Sequence, residues 1–364
     1  MTSRARRRAA PQQSEPSGAD QIPVWTGVSV RSPRAFRDGV AHLLSDLNDE
    51  QHAAVTYGEG PLLVVAGAGT GKTQVITRRV AWLIAEQRAL PEEILALTFT
   101  DRAAEEMQAR VDRLVPYGYA TTPIKTFHAW GDELLRENAH RLGIAGELRV
   151  LGRAEVVLLL REHLFELGLS RFAPLGDPTR FLGDVAGYIS RAKEEAVTPD
   201  QVDAFAAALR SKAAAVESDD NATEKERSTS AEYAAALRRL GEEQAELAAV
   251  YRSYRSILAK RGLLDFGDQV LLSHELLQSD PLVAARVRER HRWLLVDEYQ
   301  DTNRLQGALV DLITQGNGNL TAVGDDDQSI YRFRGAAIGN ILGFVDRYPS
   351  AGKVVLTKNY RSTT

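Results

Sequence analysis

The stretch Leu62-Leu-Val-Val-Ala-Gly-Ala-Gly-Thr-Gly-Lys-Thr73 decides the fold of this chain. Its first five residues are all apolar, which is typical of a strand buried on both faces, because a strand with one wet face would alternate apolar and polar residues. A glycine-rich loop follows, and the pattern predicts a helix that begins near Thr73. A buried strand that turns through glycines into a helix indicates one unit of a parallel α/β sheet.

Further short runs of β-branched and aliphatic residues lie at 94–98, 124–127, 293–297, 320–324 and 354–357. Helical stretches separate these runs, and the alternation predicts an α/β fold, a parallel sheet with helices on both faces. Between residues 130 and 292 the sequence shows no such run. It predicts helices there instead, at 154–167, 178–195, 199–211 and 231–261.

These patterns divide the chain into three parts. Residues 1–45 carry an arginine cluster and scattered prolines without periodicity, and we expect a disordered basic N-terminal tail there. The α/β domain comprises residues 46–130 and 262–364. A helical subdomain, residues 131–261, is inserted into it, and the polar tract at about 217–230 predicts a disordered loop within that insertion.

The composition excludes several classes of site and limits others. The sequence has no Cys, so disulfides, thiolate metal sites and Cys nucleophiles are excluded. Its 7 His disfavour a zinc enzyme. No apolar run approaches the roughly 18 residues needed to cross a bilayer, which predicts a soluble cytoplasmic protein without membrane contact. The net charge is −4, so any nucleic-acid site must be a local patch and not a property of the whole surface.

The loop at residues 66–73 has the chemistry of a phosphate-binding loop. It follows the Walker A spacing, with Ala66 in the leading glycine position. Small residues let successive backbone N–H groups converge on phosphate at a helix N-terminus, where the helix dipole also favours an anion. Lys72 would neutralise the β- and γ-phosphates, and the Thr73 hydroxyl would ligate Mg²⁺.

A pair of acidic residues ends the apolar run at 293–297. In a parallel sheet the carboxyl ends of the strands lie at one edge, so Asp297 would fall beside the loop that holds Thr73. Asp297 would then share the Mg²⁺, and Glu298 would orient and deprotonate the attacking water. A solvated strand end would show the same pattern by itself, but the phosphate loop favours catalysis.

The ordered motifs of residues 47–362 resemble the superfamily 1A helicases, the UvrD/Rep/PcrA family. The matching segments are LNDEQ at 47–51 (Q motif), 66–73 (motif I), LTFTDRAA at 97–104 (Ia), TFH at 126–128 (Ib), LDFGD at 264–268, DEYQD at 297–301 (II), GDDDQSIYRFRG at 324–335 (III) and NYRS at 359–362 (IV). The resemblance implies a RecA-like P-loop NTPase domain, called 1A in this family, with the helical insertion 1B.

The resemblance also implies a set of nucleotide contacts. Gln51 would read the adenine edge, Tyr360 would stack on adenine, and Arg361 would act as an arginine finger. Gln328 would sense the γ-phosphate. Gln74 stands where the family usually has an arginine that stacks against the adenine. The resemblance therefore does not identify a second side chain that would stack on the adenine opposite Tyr360. The expected cofactors are ATP and Mg²⁺, held by Gln51, Ala66, Gly67, Ala68, Gly69, Thr70, Gly71, Lys72, Thr73, Gln74, Asp297, Gln328, Tyr360 and Arg361.

Motifs Ia, Ib and III face single-stranded DNA in the family. The corresponding residues here are Phe99, Thr100, Arg102, Thr126, Phe127, His128, Tyr331 and Phe333. Aromatic side chains give stacking platforms that accept any base. The alternative for each aromatic is an ordinary core residue, and for His128 a structural histidine. Asp101-Arg102 replaces the usual Asn-Lys, and Phe333 replaces a common tryptophan, which should weaken base stacking modestly.

The sequence ends just after motif IV, without motifs V and VI or a second RecA-like domain. The resemblance therefore implies the first half of an ATP-dependent 3′–5′ DNA helicase that serves DNA repair or replication. Its partners would be single-stranded DNA, 3′-tailed duplex DNA and the missing domain in cis or trans, and alone it would turn over little ATP. The alternatives are a catalytically silent module that binds DNA or a partner, and the helicase subunit of a RecB-like helicase–nuclease.

Overall fold

The computed structural model describes residues 41–115, 121–142, 148–217, 224–315, 318–325 and 338–361. The strands are β1 (Leu62–Ala66), β2 (Ile94–Thr98), β3 (Ile124–Thr126), β4 (Arg149–Leu151), β5 (Leu263–Asp265), β6 (Trp293–Val296), β7 (Leu320–Gly324) and β8 (Gly352–Leu356). Six of them form one sheet in the order β3-β2-β6-β7-β1-β8. Every neighbouring pair in this sheet is parallel, which confirms the predicted α/β fold.

Helices connect the strands. They are α1 (Asp49–Val55), α2 (Lys72–Ala85), α3 (Asp101–Leu114), α4 (Phe127–Glu137), α5 (Arg153–Glu162), α6 (Leu182–Glu194), α7 (Pro199–Glu217), α8 (Glu224–Arg261), α9 (Phe266–Ser279), α10 (Pro281–Arg290), α11 (Arg304–Thr314), α12 (Ile338–Leu342) and α13 (Phe344–Arg347). No helix of the described residues is long and apolar enough to span a membrane.

The sheet lies between two apolar cores, as the continuous apolar strands predicted. Along β1, Leu62 and Val64 pack into one core with helices α1, α2 and α3, whereas Leu63 packs into the other. That second core contains side chains of α4, α9, α10 and α11. Successive side chains of a strand point to opposite faces, so a strand covered on both faces must be apolar at every position.

The helical insertion is built differently from the sequence prediction at its edges. Strands β4 and β5 pair in parallel where the chain enters and leaves the insertion, and neither was predicted. Each has three residues, which is too short for a periodic signal. Helix α4 packs in the core under the sheet through Trp130 and Leu134, so the predicted boundary at residue 131 cuts through a helix of the α/β domain.

The predicted loop at 217–230 is also wrong in its second half. Helix α8 begins at Glu224, seven residues before the predicted start at 231. Polar residues with good helix propensity can extend a helix whose later turns are packed, so a polar composition alone did not mark a loop. Residues 218–223 and residues 1–40 of the predicted tail lie outside the described residues. The end of the predicted tail is described, and disorder is wrong there, because residues 41–44 are helical and Leu43 is buried.

A buried ionic cluster lies where the helical insertion joins the α/β domain. The Nζ of Lys193 on α6 lies 2.7 Å from Oδ2 of Asp265 and 2.6 Å from Oδ1 of Asp268. The Tyr254 hydroxyl of α8 donates to the same Asp265 oxygen at 2.8 Å. Because an unpaired buried charge is costly, these contacts tie α6 and α8 firmly to the start of α9.

His291, just before β6, predicts a measurable pH dependence of stability. Its Nε2 accepts a hydrogen bond from Nε1 of Trp130 at 3.3 Å, and the side chain is buried. Burial is the main cause that lowers its pKa from 6.5 to about 4; Arg290 and Lys125 contribute to the fall, and Glu133 opposes them. The unfolded chain therefore binds a proton at His291 as the pH falls through about 6.5, whereas the folded chain binds it only near pH 4. The free energy of unfolding therefore falls as the pH drops.

We expect the free energy of unfolding to fall by about 2 kcal/mol between pH 7 and pH 5 through this histidine. The variant His291→Gln keeps a hydrogen-bond acceptor but cannot titrate. Urea denaturation of both proteins at the two pH values measures the change in the free energy of unfolding. The contributions of other titrating groups cancel when the two proteins are compared. An identical pH dependence in the two proteins would show that His291 binds its proton equally in both states.

Candidate active site

The candidate site lies at the carboxyl edge of the central sheet, where four strands end side by side. The phosphate loop follows β1, the acidic pair follows β6, Asp325 follows β7, and Phe99 follows β2. Strand β7 separates β1 from β6, so the phosphate loop and the acidic pair follow strands that are not adjacent. Strand order thus places the predicted motifs I, Ia and II around one opening.

The loop after β1 has the backbone that its glycines predict. Gly69 and Gly71 have φ angles of 78° and 94°, in the left-handed region that side chains disfavour. A Cβ on Gly71 would also lie 2.7 Å from Nε2 of Gln51. Helix α2 begins at Lys72, so the first N–H groups of this helix have no intrahelical acceptor and lie at the loop. The arrangement is a ready-made anion site.

Lys72 and Glu298 join the two halves of the site. Nζ of Lys72 lies 3.0 Å from Oε2 of Glu298. The backbone of Glu298 is left-handed, with a φ of 49° and a ψ of 46°, and its N–H donates to Oδ1 of Asp297 at 3.0 Å. This conformation costs about 1–2 kcal/mol for a residue with a side chain, and such strain concentrates at functional sites.

The acids of this site are poorly solvated. Burial raises the pKa of Asp297 to about 7, and the nearby Glu298 carboxylate raises it as well. The pKa of Asp301 rises to about 6 for the same two reasons, burial first. Lys72 opposes both shifts. A second cation beside Asp297 would stabilise its charged form, as a bound divalent metal does.

Two polar residues of this site were missed by the sequence reasoning. Nε2 of Gln300 donates to Oε2 of Glu298 at 2.8 Å, and its Oε1 accepts from the backbone N–H of Asp325 at 3.0 Å. Gly324 allows this approach, because a Cβ there would lie 2.5 Å from Gln300 Oε1. Asp301 has a buried oxygen without a hydrogen-bond partner. The only available signal was their position within the acidic run at 297–301.

Helix α1 carries Gln51 to the opposite side of the loop. Asn48 caps the helix with its side chain, which accepts from the Gln51 N–H at 2.8 Å. The Gln51 side chain is buried, and its Nε2 donates to the Thr70 carbonyl at 2.9 Å. A half-buried Gln74 on α2 lies near Gly71. Gln51 and Gln74 therefore both lie beside Gly71 of the loop.

The segment after β8 crosses the phosphate loop. The Tyr360 N–H donates to the Gly69 carbonyl at 2.9 Å, and its hydroxyl accepts from Nδ2 of Asn48 at 2.8 Å. Nδ2 of Asn359 donates to the Ala68 carbonyl at 2.9 Å. The Tyr360 ring is 63% exposed and Arg361 is exposed, so both side chains can meet a ligand at this loop.

A cleft of about 350 Å³ extends from the acids to the end of β2. Its walls are formed by Thr73, Thr98, Phe99, Thr100, Ala103, Glu106, Asp297, Glu298, Gln300 and Asp301. Phe99 is half-buried in this wall, Thr100 caps helix α3 by accepting from Ala103 N–H, and Arg102 is exposed. Motif Ia thus lies next to the acidic pair.

The predicted DNA contact by Phe127 is wrong. Its side chain is 2% exposed and belongs to the core beneath the sheet, so it offers no face to a base. The reason is local: β3 ends at Thr126, whose hydroxyl accepts from Ala129 N–H and starts α4, and this turns Phe127 inward.

His128 is half-buried and packs edge-on against Phe266 at 5.9 Å. Burial lowers its pKa, and Asp101 opposes that shift. The structural alternative for this histidine therefore has support, although its partial exposure leaves room for a ligand contact. Gln328, Tyr331 and Phe333 lie outside the described residues.

The oxygen donors of the cleft fit a magnesium ion that is shared with phosphate. The Thr73 hydroxyl and the Asp297 carboxylate line the same cleft. Among the described residues no group of three or more His, Cys, Asp or Glu side chains forms a metal cage. Mg²⁺ is typically bound by one or two protein oxygens together with substrate phosphates and water, so this sparse set suits it.

A parallel sheet with a glycine-rich loop at one strand end and a lysine-paired carboxylate at another defines a P-loop nucleotide-binding protein. The family model described as "UvrD/REP helicase N-terminal domain" matches residues 47–349. The chain belongs to this family, which confirms the resemblance drawn from its motifs.

Proteins named ATP-dependent DNA helicase PcrA are similar to most of the chain. The one from Bacillus subtilis is 37% identical over 322 residues, which is 88% of this chain and 38% of the relative. Those from Leuconostoc citreum and Staphylococcus aureus strain Mu50 are 37% and 36% identical over 325 and 321 residues, covering 89% and 88% of this chain and 38% and 39% of the relatives. The chain thus spans about two fifths of the length of these relatives.

Proposed function

We propose that this chain is the ATP-binding and DNA-binding first half of an ATP-dependent DNA helicase that moves 3′ to 5′ on single-stranded DNA. The observation that carries the proposal is the 3.0 Å contact between Lys72 and Glu298, which brings the phosphate loop and the acidic pair to one opening. The names of the similar proteins support the helicase activity. In our proposal the protein acts in the cytoplasm, in DNA repair or replication.

The nucleotide roles follow the chemistry of each side chain. Lys72 binds the β- and γ-phosphates, while Thr73 and Asp297 hold Mg²⁺, whose charge would stabilise the transferring phosphoryl group. Glu298 accepts a proton from the attacking water. At the other end, Gln51, Gln74 and Tyr360 surround the base, the backbone of residues 66–73 binds phosphate, and Arg361 and Gln328 meet the γ-phosphate.

The ion pair between Lys72 and Glu298 suggests how nucleotide binding prepares the base. While Lys72 contacts Oε2 of Glu298, the ion pair holds the carboxylate in place and occupies the oxygen that would meet the attacking water. Phosphate is a stronger partner for an ammonium group than one carboxylate. When Lys72 turns to phosphate, Glu298 keeps its hydrogen bond from Gln300 and its carboxylate becomes accessible to the attacking water.

We propose that DNA lies along the open side of the cleft near motif Ia. Phe99 supplies a partly exposed ring for a base, and Arg102 supplies charge for a phosphate. Thr100 and Thr126 cap the helices that start on this side, and His128 lies half-buried in the first turn of α4. Tyr331 and Phe333 complete the stacking surface in our proposal. The negative net charge does not oppose this, because binding depends on local groups.

The proposal is tested with the chain and the remaining part of a full-length helicase supplied in trans. We expect single-stranded DNA to stimulate ATP hydrolysis several-fold or more in the mixture, since both halves are needed for turnover. A phosphate-release assay measures hydrolysis, and fluorescence anisotropy of a labelled 3′-tailed duplex measures binding. A blunt duplex is the control. DNA binding without any hydrolysis in the mixture would favour a silent binding module and contradict the proposal.

A further inference from the structure

Arg79 is a fully buried arginine on α2 whose charge is balanced by backbone oxygens. Its side chain has 0% exposure, and its hydrogen bonds to described residues all go to uncharged oxygens. Nη1 donates to the carbonyls of Tyr57 at 2.7 Å, Val55 at 3.1 Å and Ala54 at 3.3 Å. Nη2 donates to the Gly58 carbonyl at 3.3 Å.

These four acceptors lie at one place, the C-terminal end of α1 and the turn after it. The last carbonyls of a helix lack intrahelical donors and carry the negative end of the helix dipole, so a cation is stabilised there. Burial lowers the pKa of Arg79 to about 10, which still leaves the guanidinium charged near neutral pH. A buried arginine is costly unless its hydrogen bonds are made, so its contacts fix the end of α1 strongly.

Arg79 also ties this end of α1 to the sheet. Its Nε donates to the Thr321 hydroxyl of β7 at 2.9 Å. The guanidinium lies 5.9 Å from the centre of the Tyr57 ring and 5.8 Å from that of Trp293. A Cβ on Gly352 would lie 2.5 Å from the Tyr57 ring, so this ring occupies the space that a side chain at the start of β8 would need. The C-terminal end of α1 is therefore locked against α2 and two strands.

The other end of the same short helix holds Gln51 at the phosphate loop. Its Nε2 donates to the Thr70 carbonyl, and its Oε1 accepts from the Asn48 N–H at 3.2 Å. A glutamine amide has two donor hydrogens and two acceptor lone pairs. One hydrogen and one lone pair therefore remain for a ligand, which matches the donor and acceptor pattern of an adenine edge.

We propose that Arg79 is a positioning residue for base recognition, which anchors α1 so that the Gln51 amide is held at the phosphate loop before the nucleotide arrives. This inference rests on the proposed function and adds a determinant of nucleotide specificity that does not touch the ligand. A pre-oriented amide needs no ordering on binding, so its hydrogen bonds contribute fully to affinity. The specificity concerned is for a purine with a 6-amino group.

The comparison of ATP with ITP isolates this effect, because inosine carries a 6-oxo group in place of the amino group. We expect the wild-type chain to bind ATP about tenfold more tightly than ITP, the value of one or two well-placed hydrogen bonds. In Arg79→Lys the charge remains, but one ammonium group cannot span the four carbonyls. We expect the ATP-to-ITP affinity ratio to fall to about twofold or less.

Thr321→Val is the matched control. It removes the contact of Arg79 with β7 but keeps the contacts with α1, so it should lower stability without changing the ratio. Titration calorimetry with Mg²⁺ present measures both affinities, and circular dichroism measures folding. In a Gln51→Ala background we expect Arg79→Lys to change the ratio no further, since the two residues act through one amide.

The outcomes separate this inference from the proposed function. An unchanged ratio in Arg79→Lys, or an equal fall with and without Gln51, would overturn the inference while ATP binding stands. A wild-type chain that binds no ATP would refute both. If Arg79→Lys does not fold, hydrogen exchange of the wild-type chain decides. Protection of the α1 amides without nucleotide supports the anchor, and exchange as fast as in a frayed helix end contradicts it.

Discussion

Replacing Lys72 by alanine is expected to abolish the binding of Mg·ATP, with a loss of affinity of at least about a hundredfold. Two effects add. The phosphates lose their cation, and Glu298 loses the partner that lies 3.0 Å away. The Glu298 carboxylate would then face the phosphates without the ammonium group beside it, so the variant repels the ligand as well as failing to attract it.

The fold should survive this change. The Glu298 side chain is 36% exposed, and an ion pair this open contributes at most about 1 kcal/mol to stability. Lys125→Ala is the matched control, because Lys125 also pairs with a glutamate, Glu133, but lies on β3 away from the loop. Calorimetric titration of the variants with Mg·ATP gives the affinities. Tight binding retained by Lys72→Ala would refute the phosphate role of this lysine.

The variant Glu298→Gln should bind ATP almost normally and lose its hydrolysis, by about 10²–10⁴-fold in the turnover rate. The amide has the shape of the carboxylate and can still contact Lys72 and Gln300, but it cannot take a proton from water. The left-handed backbone at this residue, which every non-glycine side chain tolerates poorly, is unchanged by the substitution.

Hydrolysis is measured with single-stranded DNA and the remaining part of a full-length helicase in trans, as above. Glu106→Gln gives a control with the same chemistry, because Glu106 lines the same cleft but pairs with Arg110 on α3. Only Glu298→Gln should lose turnover. Persistent hydrolysis in that variant would exclude Glu298 as the base, and an equal loss in both would indicate a general effect of charge in the cleft.

The parallel sheet was predictable because its signal is local. Each core strand is a short apolar run, and the bounds of β1, β2 and β7 agree with the prediction. The short strands β4 and β5 were not predictable, since three residues carry no period. The early start of α8 was missed because composition measures polarity and not helix propensity.

The candidate site likewise contains residues that were predictable from the sequence and residues that were not. Lys72, Thr73, Asp297 and Glu298 stand in contiguous motifs whose chemistry is readable from spacing. Gln300 and Arg79 act through partners on other elements, Asp325 and the end of α1, so Gln300 is marked only by its place in the acidic run and Arg79 by no motif. Phe127 shows the converse error, since a motif position suggested a surface role for a side chain that packs in the core.

The sequence by itself determined the class of this protein. A buried strand, a glycine loop with Lys72 and an acidic strand end are local features, and their physical requirements of small residues, positive φ and apolar runs leave few alternatives. Only the tertiary structure decided the strand order that sets β7 between β1 and β6, and with it the contact of Glu298 with Lys72. That contact depends on packing between segments more than 200 residues apart, which no short stretch of sequence encodes.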